Sequence, residues 1–119
     1  MHRSFHELGA SLGGVPCGQF SGEAEFDQAG HVVRISLERE QFNGPPVELN
    51  IADIIRERIR LRQRWGSQFL EEGDPAVILH RTTYEVFLGL SRRLAEIFAE
   101  DIREYLQSGE EDRPSYRSA

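Results

Sequence analysis

A chain of 119 residues with 39% hydrophobic side chains, seven Phe and one Trp is sized for one domain with one packed core. Charged residues make up 29%, mean hydropathy is −0.49, and the longest uninterrupted apolar run, Ala76 to Leu79, is far too short for a membrane span. The net charge of −6 and pI near 5.2 repel nucleic acid and anionic membrane at long range, and the single cysteine, Cys17, excludes an internal disulfide and a cysteine-built zinc site.

In chain order, residues 1–18 combine a short stretch of helix propensity, Phe5 to Leu8, with Gly9, Gly13, Gly14, Pro16 and Gly18. The expectation is a helical turn and then a loop. This stretch is too glycine-rich and weakly apolar for an export signal, which with the lone cysteine points to a cytoplasmic protein. From Gln19 the pattern alternates: Phe20, Ala24 and Phe26 fall on one side, Ser21, Glu23 and Glu25 on the other. Val33, Ile35 and Leu37 alternate in the same way against Arg34, Ser36 and Glu38, so two half-buried strands joined by a turn at 27–30 form a hairpin. Phe42 to Pro46 breaks the second strand, and Val47-Glu48-Leu49 is read as a brief third one.

Asn50 is positioned as the N-cap of a long helix that runs to about Glu72, with Asp53 near the positive end of its dipole. Gly73-Asp74-Pro75 ends it, and Ala76 to His80 reads as a short strand buried on both faces. Thr82 and Glu85 match a capping box that opens a second helix, predicted to continue to about Gln107. The expected fold is α+β: a small antiparallel sheet, the hairpin plus one or two short strands, packed against two long helices. The chain divides into a glycine-rich segment at 1–18, a single α+β domain at 19–107, and a disordered acidic and polar tail at 108–119. The order short helix, hairpin, helix, strand, helix in a small acidic chain is similar in layout to the small dimeric secretion-type chaperones, a likeness that implies a dimer binding another protein.

All fourteen basic residues are arginine, so their positions decide what they do. On the first helix, Ile51, Ile54, Ile55, Leu61, Trp65 and Phe69 share one broad face, and Arg58 and Arg62 fall inside it. Arg58, Arg62 and Trp65 are therefore candidate binding residues for a partner or ligand. Asp101, the one acid inside the apolar arc of the second helix, is their expected counterpart, either as a register-fixing ion pair or as part of a polar binding cluster. Arg56, Arg60 and Arg64 lie opposite, in water, and form the only candidate electrostatic patch for nucleic acid or an acidic protein.

The apolar arc of the second helix spans about 200°, more than one small sheet needs. That excess points to a non-catalytic interaction module of adaptor, chaperone or inhibitor type, a homodimer that binds another protein. The alternatives are a small-molecule site or enzyme built on Arg58, Arg62 and Asp101, and nucleic-acid binding through the Arg56 to Arg64 stripe. The histidines and Cys17 show no catalytic or metal-ligand spacing; there is no GxGxxG, HExxH or GxSxG, and a lysine-free chain cannot carry a P-loop. No cofactor and no metal are expected.

Overall fold

A computed structural model of the chain describes residues 1–38, 46–66 and 73–108, with side chains for all of these except Cys17. Among the described residues four strands come first: β1 (His2–Leu12), β2 (Val15–Phe26), β3 (Val32–Leu37) and β4 (Val47–Asn50). They pair in sequence order as an antiparallel meander. Three helices follow, α1 (Ile51–Trp65), α2 (Pro75–Ile97) and α3 (Ala99–Gln107). The fold is α+β, with the helices on one face of the sheet. No described helix is long and apolar enough to cross a membrane.

Phe5, Leu8 and Ala10 of β1, Ala24 and Phe26 of β2, and Ile35 and Leu37 of β3 point into one core, which Phe87, Leu90 and Leu94 of α2 cover. The other sheet face carries His2, Glu23, Glu25 and Arg34, with Arg34 within 3.7 Å of Glu25. The β2–β3 hairpin and the brief strand at 47–49 form as the alternation predicts, and Asn50 caps α1 by accepting the Ala52 N–H at 2.9 Å.

Three expectations are corrected. Residues 1–18 are not a helical turn and loop but β1, a two-residue turn and the start of β2. The misleading signal is the three-residue spacing of Phe5 and Leu8, which mimics a helix. A bulge between them, with Glu7 at φ 51°, adds one residue so that both side chains face inward, and the Glu7 N–H is satisfied by Ser21 Oγ at 3.1 Å. Ala76 to His80 is not a strand but the first turns of α2. Asp74 accepts the Ala76 N–H at 2.8 Å and Pro75 occupies the first helical position, so the tripeptide read as a breaker opens a helix. Thr82 and Glu85 consequently lie inside α2 and cap nothing. The second helix is also divided: its backbone turns at Phe98, and α3 continues to Gln107.

With strands first and helices last, the element order departs from the layout of the secretion-type chaperones. The expected continuation of α1 beyond Gly66, including Phe69, and the tail from 109 onward lie outside the described residues.

Two glycines show how tightly the sheet is fitted. Gly22 faces Leu37 across the β2–β3 ladder, where a β-carbon would collide with the Ser36 carbonyl. Gly89, inside α2, has no atom within 4 Å of where its β-carbon would stand. Gly22→Ala is expected to destabilise the protein by about 2 kcal/mol or more, because backbone rather than a side chain must yield. Gly89→Ala is expected to stabilise it by about 1 kcal/mol through helix propensity. Urea denaturation of both variants checks the pair, and an unchanged midpoint for Gly22→Ala would contradict the close approach.

Candidate functional site

α2 packs on both the sheet and α1. Its inward residues Val77, His80, Tyr84, Phe87, Ser91, Leu94 and Phe98 recur at alternating steps of three and four. Phe87 and Leu94 belong to the sheet core, while Val77 packs with Leu61 of α1 in a second small cluster completed by Trp65 and Ala76. The near half of α2 thus holds α1, and the far half holds the sheet.

Between α1, the first turns of α2 and β4 lies a cleft of about 260 Å³. Its lining includes the apolar Leu49, Ile54, Ala76 and Leu79, the polar Asn50, Thr83 and His80, and the acids Asp53 and Glu57; Glu48 borders it as well, but its place opposite Ser36 in the ladder puts its side chain on the other sheet face. Ile54 and His80 are buried at its base, whereas Leu79 keeps 66% of its surface exposed.

His80 is 6% exposed and meets the Tyr84 ring edge-on at 6.3 Å between centroids. Burial pulls its pKa below the ordinary 6.5, the nearby positive charge of Arg58 adds to the shift, and Glu57 opposes it. The imidazole is therefore neutral at pH 7. Arg58 lies over the Tyr84 ring, 5.6 Å from its centroid. The Glu57 carboxylate accepts from Arg60, with Nε at 3.0 Å, and this hydrogen bond holds it below the usual carboxylate range. Asp53 is paired with Arg56 at 2.9 Å.

The residues singled out in the sequence go to separate places. Arg58 is half-buried at the α1–α2 junction, as its position on the wheel requires, but Arg62 and Ile55, expected on the same inward face, are exposed, because α2 covers only the side of α1 that carries Ile54 and Leu61. Asp101 stands on α3 and accepts from Arg3 Nε of β1 at 3.0 Å, where Arg58 or Arg62 was the expected donor. Both side chains of this bridge are about two-fifths exposed, so it contributes at most about 1 kcal/mol. Trp65 is half-buried against Leu61 and Val77 with its Nε1 unbonded among the described residues, and Arg64 lies over its ring at 5.3 Å. Arg56, Arg60 and Arg64 are exposed as expected, but the first two are engaged by acids of their own helix. Among the described residues no group of three His, Cys, Asp or Glu side chains could hold a metal ion.

Sequence reasoning missed Glu48, Leu79 and Thr83 as neighbours around one cleft. The three-and-four spacing of Val77, His80 and Tyr84 was the available signal. No protein-family model matches the chain, and no curated protein or solved structure matches it either.

Because the fold lowers the His80 pKa, the unfolded chain takes up a proton at higher pH than the folded one does. Stability conferred by the neutral imidazole is complete above about 6.5 and is lost as the pH falls through the lowered folded value. Melting temperatures of the wild type and His80→Gln, followed from pH 7 to about pH 5, are expected to converge on acidification. A parallel decline in both proteins would show that His80 does not titrate differently on folding.

Proposed function

We propose that the protein is a non-catalytic interaction module that binds another protein and associates as a homodimer in the cytoplasm. One observation carries the reading: α1 has a second stripe that its own core does not use. Ala52, Ile55, Ile59 and Arg62 recur at steps of three, four and three, and all four are exposed, the isoleucines by 49% and 53%. This is the spacing of a helix–helix seam. It lies away from Ile54 and Leu61, which face α2 and the core.

Isolated exposed apolar residues are ordinary, but two isoleucines one turn apart in a helix otherwise rich in arginine form a continuous strip. The charge along α1 suits antiparallel pairing with a second copy. Residues 51–57 carry two acids and one arginine, whereas residues 58–65 carry four arginines and no acid. Each arginine-rich half then lies beside the acidic half of its partner. The single cysteine is the support for a reducing compartment.

Sedimentation equilibrium over a range of concentrations tests this reading. The wild type is expected at twice its 13.6 kDa chain mass, and the double variant Ile55→Asp, Ile59→Asp is expected to be a folded monomer with an unchanged circular dichroism spectrum. A wild type that stays monomeric at about 0.5 mM, where even a weak dimer of millimolar dissociation constant is partly populated, would end the homodimer reading.

A further inference from the structure

We infer that α3 is an exchangeable element: its seat at the end of the sheet accepts either the chain's own α3 or that of a second copy, delivered by an α2 that straightens through Phe98. The inference goes beyond the Ile55–Ile59 strip, because it names a second contact between copies, made by a different part of the fold.

The hinge is the first observation. α2 and α3 are separated by Phe98 alone, whose φ of −101° and ψ of 22° lie outside the helical range. Helical hydrogen bonding continues on either side of it. The Phe98 N–H donates to the Leu94 carbonyl at 2.9 Å, and the Ile102 N–H donates to the Phe98 carbonyl at 2.8 Å. Sharp bends in helices ordinarily have a local cause such as proline or glycine, and residues 95–101 contain neither. No side chain caps the start of α3. The local sequence favours one helix to about Gln107, and tertiary contacts hold the bend.

The seat is the second observation. Gly30, at φ 83° in the β2–β3 turn, has no side chain, and Ile102 Cγ2 stands 2.7 Å from the place its β-carbon would occupy. Leu106 lies 3.6 Å from the same point, Phe98 meets Phe26 edge-on at 6.2 Å, and Asp101 accepts from Arg3. The fit is specific but shallow. No residue of α3 is buried, Leu106 keeps 48% of its surface exposed, and the Arg3–Asp101 bridge contributes little at its exposure.

Exchange follows from the two together. On a straight helix Phe98, Ile102 and Tyr105 extend the inward stripe of Phe87 and Leu94 past Phe26, the last residue of β2, and the nine residues of α3 project by about 14 Å. The seat of a second copy restores each contact of α3, and the bend is relieved in both chains. The exchange therefore costs chiefly the association itself. Because α3 must first leave its own seat, the exchange is slow.

Annealing of the full chain carrying Ile55→Asp and Ile59→Asp tests the inference, since that variant lacks the strip. It is held at about 1 mM near its melting temperature, cooled, and followed by sedimentation velocity. A dimer that persists on dilution is expected where the untreated variant is a monomer. When isotope-labelled and unlabelled chains are annealed together in equal amounts, nuclear Overhauser contacts are expected from the Ile102 methyls of one chain to the Gly30 α protons of the other. Glu100→Pro separates hinge from seat, because proline is tolerated in the first turn of α3 but not inside a continuous helix. It is expected to lower the yield of this dimer at least about tenfold while leaving the monomer spectrum unchanged.

Absence of a soluble dimer after annealing would overturn the exchange, as would an Ile102–Gly30 contact that stays within one chain. An undiminished dimer in Glu100→Pro would do the same. Should Glu100→Pro fail to fold, the contact between labelled and unlabelled chains decides alone. None of these outcomes bears on the α1 homodimer, which is read from the wild type without annealing.

Discussion

The molecule depends on the inward stripe of α2. Phe87, Leu90 and Leu94 are buried against the sheet at its far half, and Val77 and His80 at its near half meet α1. Without that stripe the meander loses most of its cover, and α1 keeps only its contacts with β3 and β4. Burying three large side chains of this kind is worth several kcal/mol, about 1.5–3 each, which is a large share of the marginal stability of a small domain. Because one helix serves two clients, the chain leaves a gap where α1, α2 and β4 diverge. The cleft is a consequence of how the core is built, and its apolar base consists of residues already required for packing.

Electrostatics follow the same economy. Several arginines are taken up by acids of the same molecule: Arg3 by Asp101, Arg34 by Glu25, Arg56 by Asp53 and Arg60 by Glu57. Arg58 and Arg64 lie over the rings of Tyr84 and Trp65. An arginine-rich helix consequently does not present an unbroken basic surface, and the uncompensated character of the molecule is acidic. Arginine serves these contacts well because its planar head forms forked hydrogen bonds to carboxylates and stacks on aromatic faces. The Ile55–Ile59 strip lies on one side of α1 and the cleft towards α2 and β4 on the other, its Asp53 and Glu57 held by Arg56 and Arg60.

Secondary structure was legible wherever the local pattern and the tertiary arrangement agreed. The alternation of Phe20 through Leu37 specified two strands, and Asn50 with Asp53 specified the start of α1, because a period of two and an N-cap are local properties. β1 was hidden by its bulge, since an added residue at Glu7 converts the strand spacing of Phe5 and Leu8 into a helical one. The start of α2 was hidden by ambiguity: Gly-Asp-Pro is equally a stop and a cap followed by proline at the first helical position, and four apolar residues in a row carry no period. What decided it was Val77 finding Leu61, a contact between residues of different helices.

The sequence by itself determined the fold class, the hairpin and the acidic balance, all of which follow from spacing and count. Only the tertiary structure decided which charges meet. Asp101 was matched to the arginines of α1 because all of them sit on apolar arcs, yet its partner is Arg3, 98 residues away at the other end of the chain. Helical periodicity reports the direction in which a side chain leaves its own axis. It carries no information about which element stands in that direction, and so Glu48, Leu79 and His80 could be known as neighbours only once strand and helices had packed.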